Sequence, residues 1–379
     1  MPTTETPNPT LPADGATLAQ ARTVIDHHLN SLWQHPELAE QIPPMMLWGP
    51  PGVGKSSLIR DLCAAHDIGF VDIRLAQREP IDLRGLPVPK DDAVHWLLSS
   101  EWPRDPDSRG IILFDELTAA DRSLQVAAYE LILDRRLGDL YEVPAGWYIC
   151  AAGNRGTDRA VAMSLSSALA NRFCHLDLIA DHAAWKRWAA AHGVHPDVIA
   201  FLDFRPESFF DMSGDVERGW PSPRTWERVS TAVRLADDAG LDASCLRLQI
   251  AGLVGRGAAT EFLAFRGWAG DIPDVVAMLR GEARIRIPRR ADQRYALCAA
   301  MVHYLWQGAE AEREQLISGF FDISERLPSD FAAMAMIDAL TGPDPATTRA
   351  RNDRLLGHPR FEAWTRQHGE AFVAQRVAA

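Results

Sequence analysis

The chain has 379 residues, 47% apolar and 24% charged, a globular composition long enough for two or three domains. Its formal charge of −12 argues against a non-specific nucleic-acid binder, and no apolar run reaches the ~18 residues that a membrane span needs. Five widely spaced cysteines (Cys63, Cys150, Cys174, Cys245 and Cys298) lack any C-x-x-C pairing, which fits reduced thiols in the cytoplasm better than disulfides or a zinc site.

Residues 1–14 are rich in Pro and Thr, carry no leader-like basic and apolar regions, and read as a disordered tail. Ala16 to about Trp33 fits a helix that ends before His35-Pro36. Met45–Trp48 reads as a short buried strand, followed by a glycine-rich turn, a helix over Ser57–His66 and a strand over Phe70–Leu75. Residues 76–110 contain Pro80, Pro87, Pro89, Pro103 and Pro106, so one long helix is excluded. Asp82–Val88 and Ala93–Leu98 flank a turn-like Pro89-Lys-Asp-Asp92, which predicts a hairpin. Ile111–Phe114 is the next buried strand. Ala119–Arg136 is helical, with Leu124, Ala127, Ala128 and Leu131 on one face. Trp147–Ala152 is a strand, Ser164–Ala170 a short helix and Phe173–Leu178 a last strand. Such alternation predicts an α/β fold, a parallel sheet with helices on both faces, over residues 15–180. From about Asp181 the strand signals stop. Helical patterns broken by Gly and Pro suggest an all-helical domain at 181–270 and a helical C-terminal extension at 271–379.

The motif that carries chemistry is Gly49-Pro50-Pro51-Gly52-Val53-Gly54-Lys55-Ser56, a match to G-x-x-x-x-G-K-[ST] between a strand and a helix. Its glycines let backbone N–H groups turn towards phosphate oxygens at a helix N-terminus, where the helix adds partial positive charge. Lys55 is placed to reach the β/γ-phosphates and Ser56 to ligate Mg²⁺, with Ser57 next in line. The choice of lysine is telling. Of 39 basic residues only three are Lys (Lys55, Lys90 and Lys186), and the other two carry no assigned role. Ile111-Ile-Leu-Phe-Asp115-Glu116 supplies the second half of the site. Four apolar residues bury the strand, so Asp115 emerges at its carboxyl end to serve Mg²⁺, and Glu116 is the candidate base for the attacking water. No guanine-specifying N-K-x-D is present, which favours ATP.

GPPGVGKS, ILFDE and Ala151-Ala-Gly153-Asn154 together resemble a P-loop NTPase αβα sandwich of the AAA+ class. Three further segments resemble its MoxR-like, dynein-related branch: Asp82-Leu-Arg-Gly-Leu-Pro87 within the 76–110 insert, Leu165–Phe173 ending in Arg172-Phe173, and Pro221-Ser-Pro-Arg224-Thr-Trp226. The resemblance covers about residues 17–270. It implies that Asn154 helps orient the attacking water, and that Arg224 reaches the nucleotide from the helical lid. Arg172 would act as an arginine finger on a neighbouring subunit, with Arg155 and Arg159 as competitors for that role. It also implies a homo-oligomeric ring, most often a hexamer. Its substrate would be a protein, and its partner could carry a von Willebrand A domain. The insert is either a working surface, with Leu83, Arg84, Leu86 and Trp96 foremost, or a hairpin that pads the core. A nucleic-acid motor or loader is the alternative, disfavoured by the acidic balance. Arg280, Arg284, Arg286, Arg289, Arg290 and Arg294 form a basic run that is either paired within the chain or offered to an acidic partner or nucleic acid.

Overall fold

The structure, a computed structural model, describes residues 15–158, 163–269, 274–342 and 344–378. The tail at 1–14, Arg159 and the boundary at Gly270 lie outside the described residues. The chain divides after Ala180 into two units.

The first unit opens with α1 (Leu18–Gln34), capped by reciprocal hydrogen bonds between Thr17 and Gln20. It continues through β1 (Met45–Trp48), α2 (Lys55–His66), β2 (Gly69–Arg74), α3 (Pro80–Arg84), β3 (Leu86–Lys90), β4 (Ala93–Leu97) and β5 (Gly110–Asp115). Then come α4 (Arg122–Asp134), β6 (Arg136–Leu137), β7 (Tyr141–Glu142), β8 (Trp147–Gly153), α5 (Ser167–Ala170) and β9 (Cys174–Asp177). Five strands form one sheet in the order β2-β5-β8-β1-β9, with every pairing parallel.

Both faces of that sheet are covered, which is why its central strands read as unbroken apolar runs. Successive residues of β5 point to opposite sides. Ile111 and Leu113 join Ile25, Leu29, Ile59 and Leu62 of α1 and α2. Ile112 and Phe114 join Leu124, Ala128 and Leu131 of α4, together with Trp102. This is the P-loop αβα sandwich. The connection after β1 leaves over the first layer, through α2, towards β2. The connection after β8 leaves over the second, through α5 and its buried Leu169, towards β9. Neighbouring strands β1 and β8 therefore send their chains in opposite directions, and a crevice opens at their carboxyl ends.

The insert differs from its expected form. Pro80–Arg84 is a helical turn, not the start of a strand, because Glu79 and Asp82 cap it reciprocally and Pro80 takes its first position. The hairpin begins after Gly85, pairing Leu86 with Leu97 and Lys90 with Ala93. The small β6–β7 hairpin has no counterpart in the sequence reading. Helix α4 starts at Arg122 instead of Ala119, since the Asp121 carboxylate accepts the N–H groups of Ser123 and Leu124.

In the second unit, every element among the described residues is helical. They are α6 (His182–Ala191), α7 (Pro196–Phe204), α8 (Pro223–Ala239), α9 (Ala243–Ala269, broken at Gly255), α10 (Val275–Leu279), α11 (Ala291–Gln307), α12 (Arg313–Ser324), α13 (Ser329–Leu340), α14 (Pro345–Leu356) and α15 (Phe361–Ala378). Phe201, Trp226, Phe262 and Phe265 form an aromatic core around α7 to α9. Helix α11 packs against α7 and α9 as well as α13, so helices on either side of residue 270 share one body. Lys186 joins them at a buried point. Its ammonium lies 2.8 Å from Asp203 of α7 and 2.6 Å from Asp338 of α13. A lysine that the sequence reading left without a role is thus the hub of an ion network. No helix among the described residues is long and apolar enough to cross a membrane.

Candidate nucleotide site

Strand β1 delivers Gly49 to the crevice, and the loop 49–54 turns there into α2. Gly54 caps the helix at φ +101°, a conformation that a side chain disfavours, and a Cβ there would sit 3.2 Å from Leu18 Cδ1. Gly49, Gly52 and Val53 are buried, Pro50, Pro51 and Ser56 are half-buried, and Ser57 faces outward. The first N–H groups of a helix have no intrahelical acceptor, so the start of α2 is a place for anionic oxygen.

Lys55 is 9% exposed, and its Nζ donates to three oxygens: Gly49 O at 2.5 Å, Pro50 O at 3.0 Å and Asn154 Oδ1 at 3.1 Å. An ammonium held by three oxygens at the mouth of the loop is in the right environment to exchange them for phosphate oxygens. Ser56 Oγ donates to Asp115 Oδ2 at 2.5 Å, which brings the helix start and the end of β5 together. A hydroxyl and a carboxylate this close are the hard oxygen donors that Mg²⁺ prefers, so the residues present fit that ion.

Glu116 follows Asp115 in the left-handed region at φ +56° and is exposed. Such backbone strain costs roughly 1–3 kcal/mol and persists only where neighbours enforce it. Here they do. The Glu116 N–H donates to Asp115 Oδ1 at 2.9 Å, and the N–H of fully buried Leu117 donates to Ala152 O at 2.9 Å. The next residue, Thr118, is 1% exposed and was missed by sequence reasoning. Its Oγ1 accepts the Asn154 N–H at 3.0 Å and donates to Asn154 O at 3.2 Å. Gly153 permits this approach, because a Cβ there would come within 2.8 Å of Thr118 Oγ1 and Cγ2. Thr118 thus sets the position of Asn154, 36 residues away. Asp72 on β2 is a second residue with no motif to announce it. Burial and then the Asp115 charge push its carboxyl above the usual range, opposed by Arg74 and Arg60.

The arginines separate clearly. Arg155 is half-buried and paired, 3.7 Å from Asp158 and 3.4 Å from Asp177. Arg172, two residues beyond α5, is exposed and has no ion-pair partner among the described residues. Arg224 belongs to the second unit, exposed in the first turn of α8 behind the Ser222 cap. A further link was not foreseen. Trp48 Nε1 donates to His175 Nδ1 at 2.8 Å, and His175 Nε2 lies 2.7 Å from Ala170 O. With Nδ1 accepting, Nε2 carries the proton and donates. This relay runs from the residue before Gly49 to the segment that bears Arg172.

No protein-family model matches the sequence, and no curated protein matches it. Among solved structures, one similar chain is NtrX from Brucella abortus in complex with ADP. It is 16% identical with a TM-score of 0.34, over 93% of this chain and 71% of that one. Another is the Thermotoga maritima RuvB Holliday junction branch migration motor, 15% identical with a TM-score of 0.35, over 78% of this chain and 88% of that one. At such identities, what this chain does is read from its own residues.

Proposed function

We propose that the protein is a Mg²⁺-dependent ATPase of the AAA+ class and MoxR-like type, which remodels or activates a protein partner. The observation that carries the catalytic part is the convergence of two hydrogen-bonded pairs at the start of α2, Lys55 with Asn154 at 3.1 Å and Ser56 with Asp115 at 2.5 Å. Phosphoryl transfer asks mainly for positioning and charge stabilisation, and these residues supply both. Ser56 and Asp115 would hold Mg²⁺, which neutralises charge on the β/γ-phosphates when bound. Lys55 offers its ammonium to the phosphates. With Asn154 Oδ1 engaged by Lys55, the amide N–H₂ is the end left to orient water. Glu116 accepts the proton of that water, its carboxylate held clear of the sheet by the left-handed turn.

Arg172 would complete the site of a neighbouring subunit, in a ring for which a hexamer is favoured, and Arg224 would sense the nucleotide. Its unpaired, exposed state supports Arg172 over Arg155 as the finger. The hairpin supports a protein substrate or a von Willebrand A domain partner as the target. Leu86, Val94, Trp96 and Leu97 are 43–58% exposed, a surface that a padding hairpin would not leave bare. Arg84 is exposed too, whereas Leu83 is 2% exposed and belongs to the core, so it is no contact residue. The protein would work in the cytoplasm.

Phosphate release with ATP and Mg²⁺ tests the reading, comparing the natural protein with Glu116→Gln. Turnover should fall at least 100-fold in the variant, with ATP still bound. A variant of unchanged turnover overturns the assignment, and strong stimulation by DNA overturns the choice of a protein target. Arg172→Ala should lower turnover and remove its dependence on protein concentration.

A further inference from the structure

The six arginines between residues 280 and 294, opposed in sequence only by Glu282 and Asp292, are sorted by the fold into two groups. Three are engaged. Arg280 pairs with Glu312 at 2.9 Å and Arg290 with Asp292 at 2.8 Å, while Arg294 donates to Pro288 O at 2.8 Å and lies over the Phe331 ring. Arg284, Arg286 and Arg289 are exposed and form no ion pair among the described residues. They stand on the non-helical strap between α10 and α11. Ala283, Ile285 and Ile287 alternate with them and pack against the core of the unit. The inward residues therefore hold the strap down, and Arg284 and Arg286 face outward about 6.6 Å apart at the ~3.3 Å rise of extended chain.

The main chain of the strap is also unspent. Among the described residues, the N–H and C=O groups of residues 284–287 take part in no hydrogen bond. An extended segment with free donors and acceptors is an edge onto which another strand can add. Pro288, which has no N–H, ends that edge.

We propose that residues 284–289 are a docking edge for an extended acidic peptide of a protein partner. The peptide lies alongside as an added strand. Its acidic side chains, at every second position, match the outward spacing of Arg284 and Arg286 and reach Arg289 beyond the proline. Guanidinium forks grip carboxylates bidentately, so alternation of charge in the partner is read along with its sign. Single-stranded nucleic acid fits less well. The strap itself presents no aromatic side chain for base stacking, and Phe331 beside it is covered by Arg294. Residues 181–379 as a whole carry a formal charge of −3, which a long polyanion would meet outside the strap.

The test is fluorescence anisotropy on the full chain without nucleotide, using a labelled peptide of alternating Glu and Val. Controls are a peptide of the same composition with the Glu residues in one block, an alternating Lys-Val peptide and an oligo-dT strand. The alternating acidic peptide should bind at least fivefold more tightly than the blocked one. Binding should weaken at least tenfold in the triple variant Arg284→Ala, Arg286→Ala, Arg289→Ala, while that variant keeps its nucleotide turnover. No binding of the acidic peptide at 1 mM, equal binding by the triple variant, or tighter binding of oligo-dT would each overturn the proposal. So would concentration-dependent self-association that the triple variant abolishes, since a second copy would then be the occupant. Nucleotide plays no part in the binding measurement, so a failure of peptide binding leaves the ATPase reading untouched.

Discussion

Replacing Thr118 by Val is the most searching perturbation of the site, because it changes shape little and removes one oxygen. That oxygen both accepts from Asn154 N–H at 3.0 Å and donates to Asn154 O at 3.2 Å. A buried polar group left without its partner costs roughly 1–3 kcal/mol. Two groups lose a partner here, but Asn154 is only half-buried and water can reach part of it, so the low end applies. We expect a stability loss of about 2 kcal/mol, readable as a shift of the urea midpoint with unchanged slope. Asn154 then loses its fixed relation to Lys55, and on the proposed mechanism the water it would orient loses its position. If about half of the 2 kcal/mol appears in the transition state, kcat falls by a factor of roughly 5, with KM for ATP little changed. Thr118→Ser keeps the hydroxyl and should restore kcat to within about twofold. Steady-state phosphate release at saturating ATP decides the matter. A Val variant with full kcat, or a Ser variant as slow as Val, would refute the positioning role.

Glu116→Gly should separate stability from activity. Relief of the left-handed strain should stabilise the chain by about 1 kcal/mol, while loss of the carboxylate lowers turnover at least 100-fold; a destabilised variant would count against the strain. Lys186→Met leaves Asp203 and Asp338 facing each other in the second unit without a cation. Removing one partner of a buried ion network costs about 3–5 kcal/mol, so Tm should drop by roughly 10 °C, and a drop under 2 °C would show that the network is not buried as described. His182 gives a pH signature. Burial, then the Lys186 charge, lowers its pKa to about 4 from an ordinary value near 6.5. A depressed pKa means its contribution is present above the ordinary value and lost as pH falls through the folded one. Between pH 7 and 4.5 that loss is about 2 kcal/mol, and His182→Gln should lack it in denaturant titrations at the two pH values. The same titrations carry the opposite trend of Asp203 and Asp338, whose carboxyls burial raises, so the difference between the two proteins is the readout.

Local spacing by itself determined the candidate phosphate loop and the strand beside it. Gly49 to Ser56 are legible because a loop able to cradle a phosphate needs consecutive backbone N–H groups, and Ile111–Phe114 are uniformly apolar because their strand is covered on both faces. The alternation of strand and helix that follows from these patterns was likewise enough for the parallel sheet. Where reading failed, the deciding partners lay far apart. Nothing near Thr118 points to Asn154, nothing near Trp48 to His175, and nothing near Lys186 to Asp203 and Asp338. Each is a single polar contact across the fold, made only when packing brings two elements to hydrogen-bond distance, so it leaves no periodicity to detect. Capping decided the smaller matters, turning Pro80–Arg84 into helix and delaying α4 to Arg122. The arginine run shows the division most plainly: composition counted six like charges, and only the structure engaged three of them, two in ion pairs and one on a backbone carbonyl, and left three facing water.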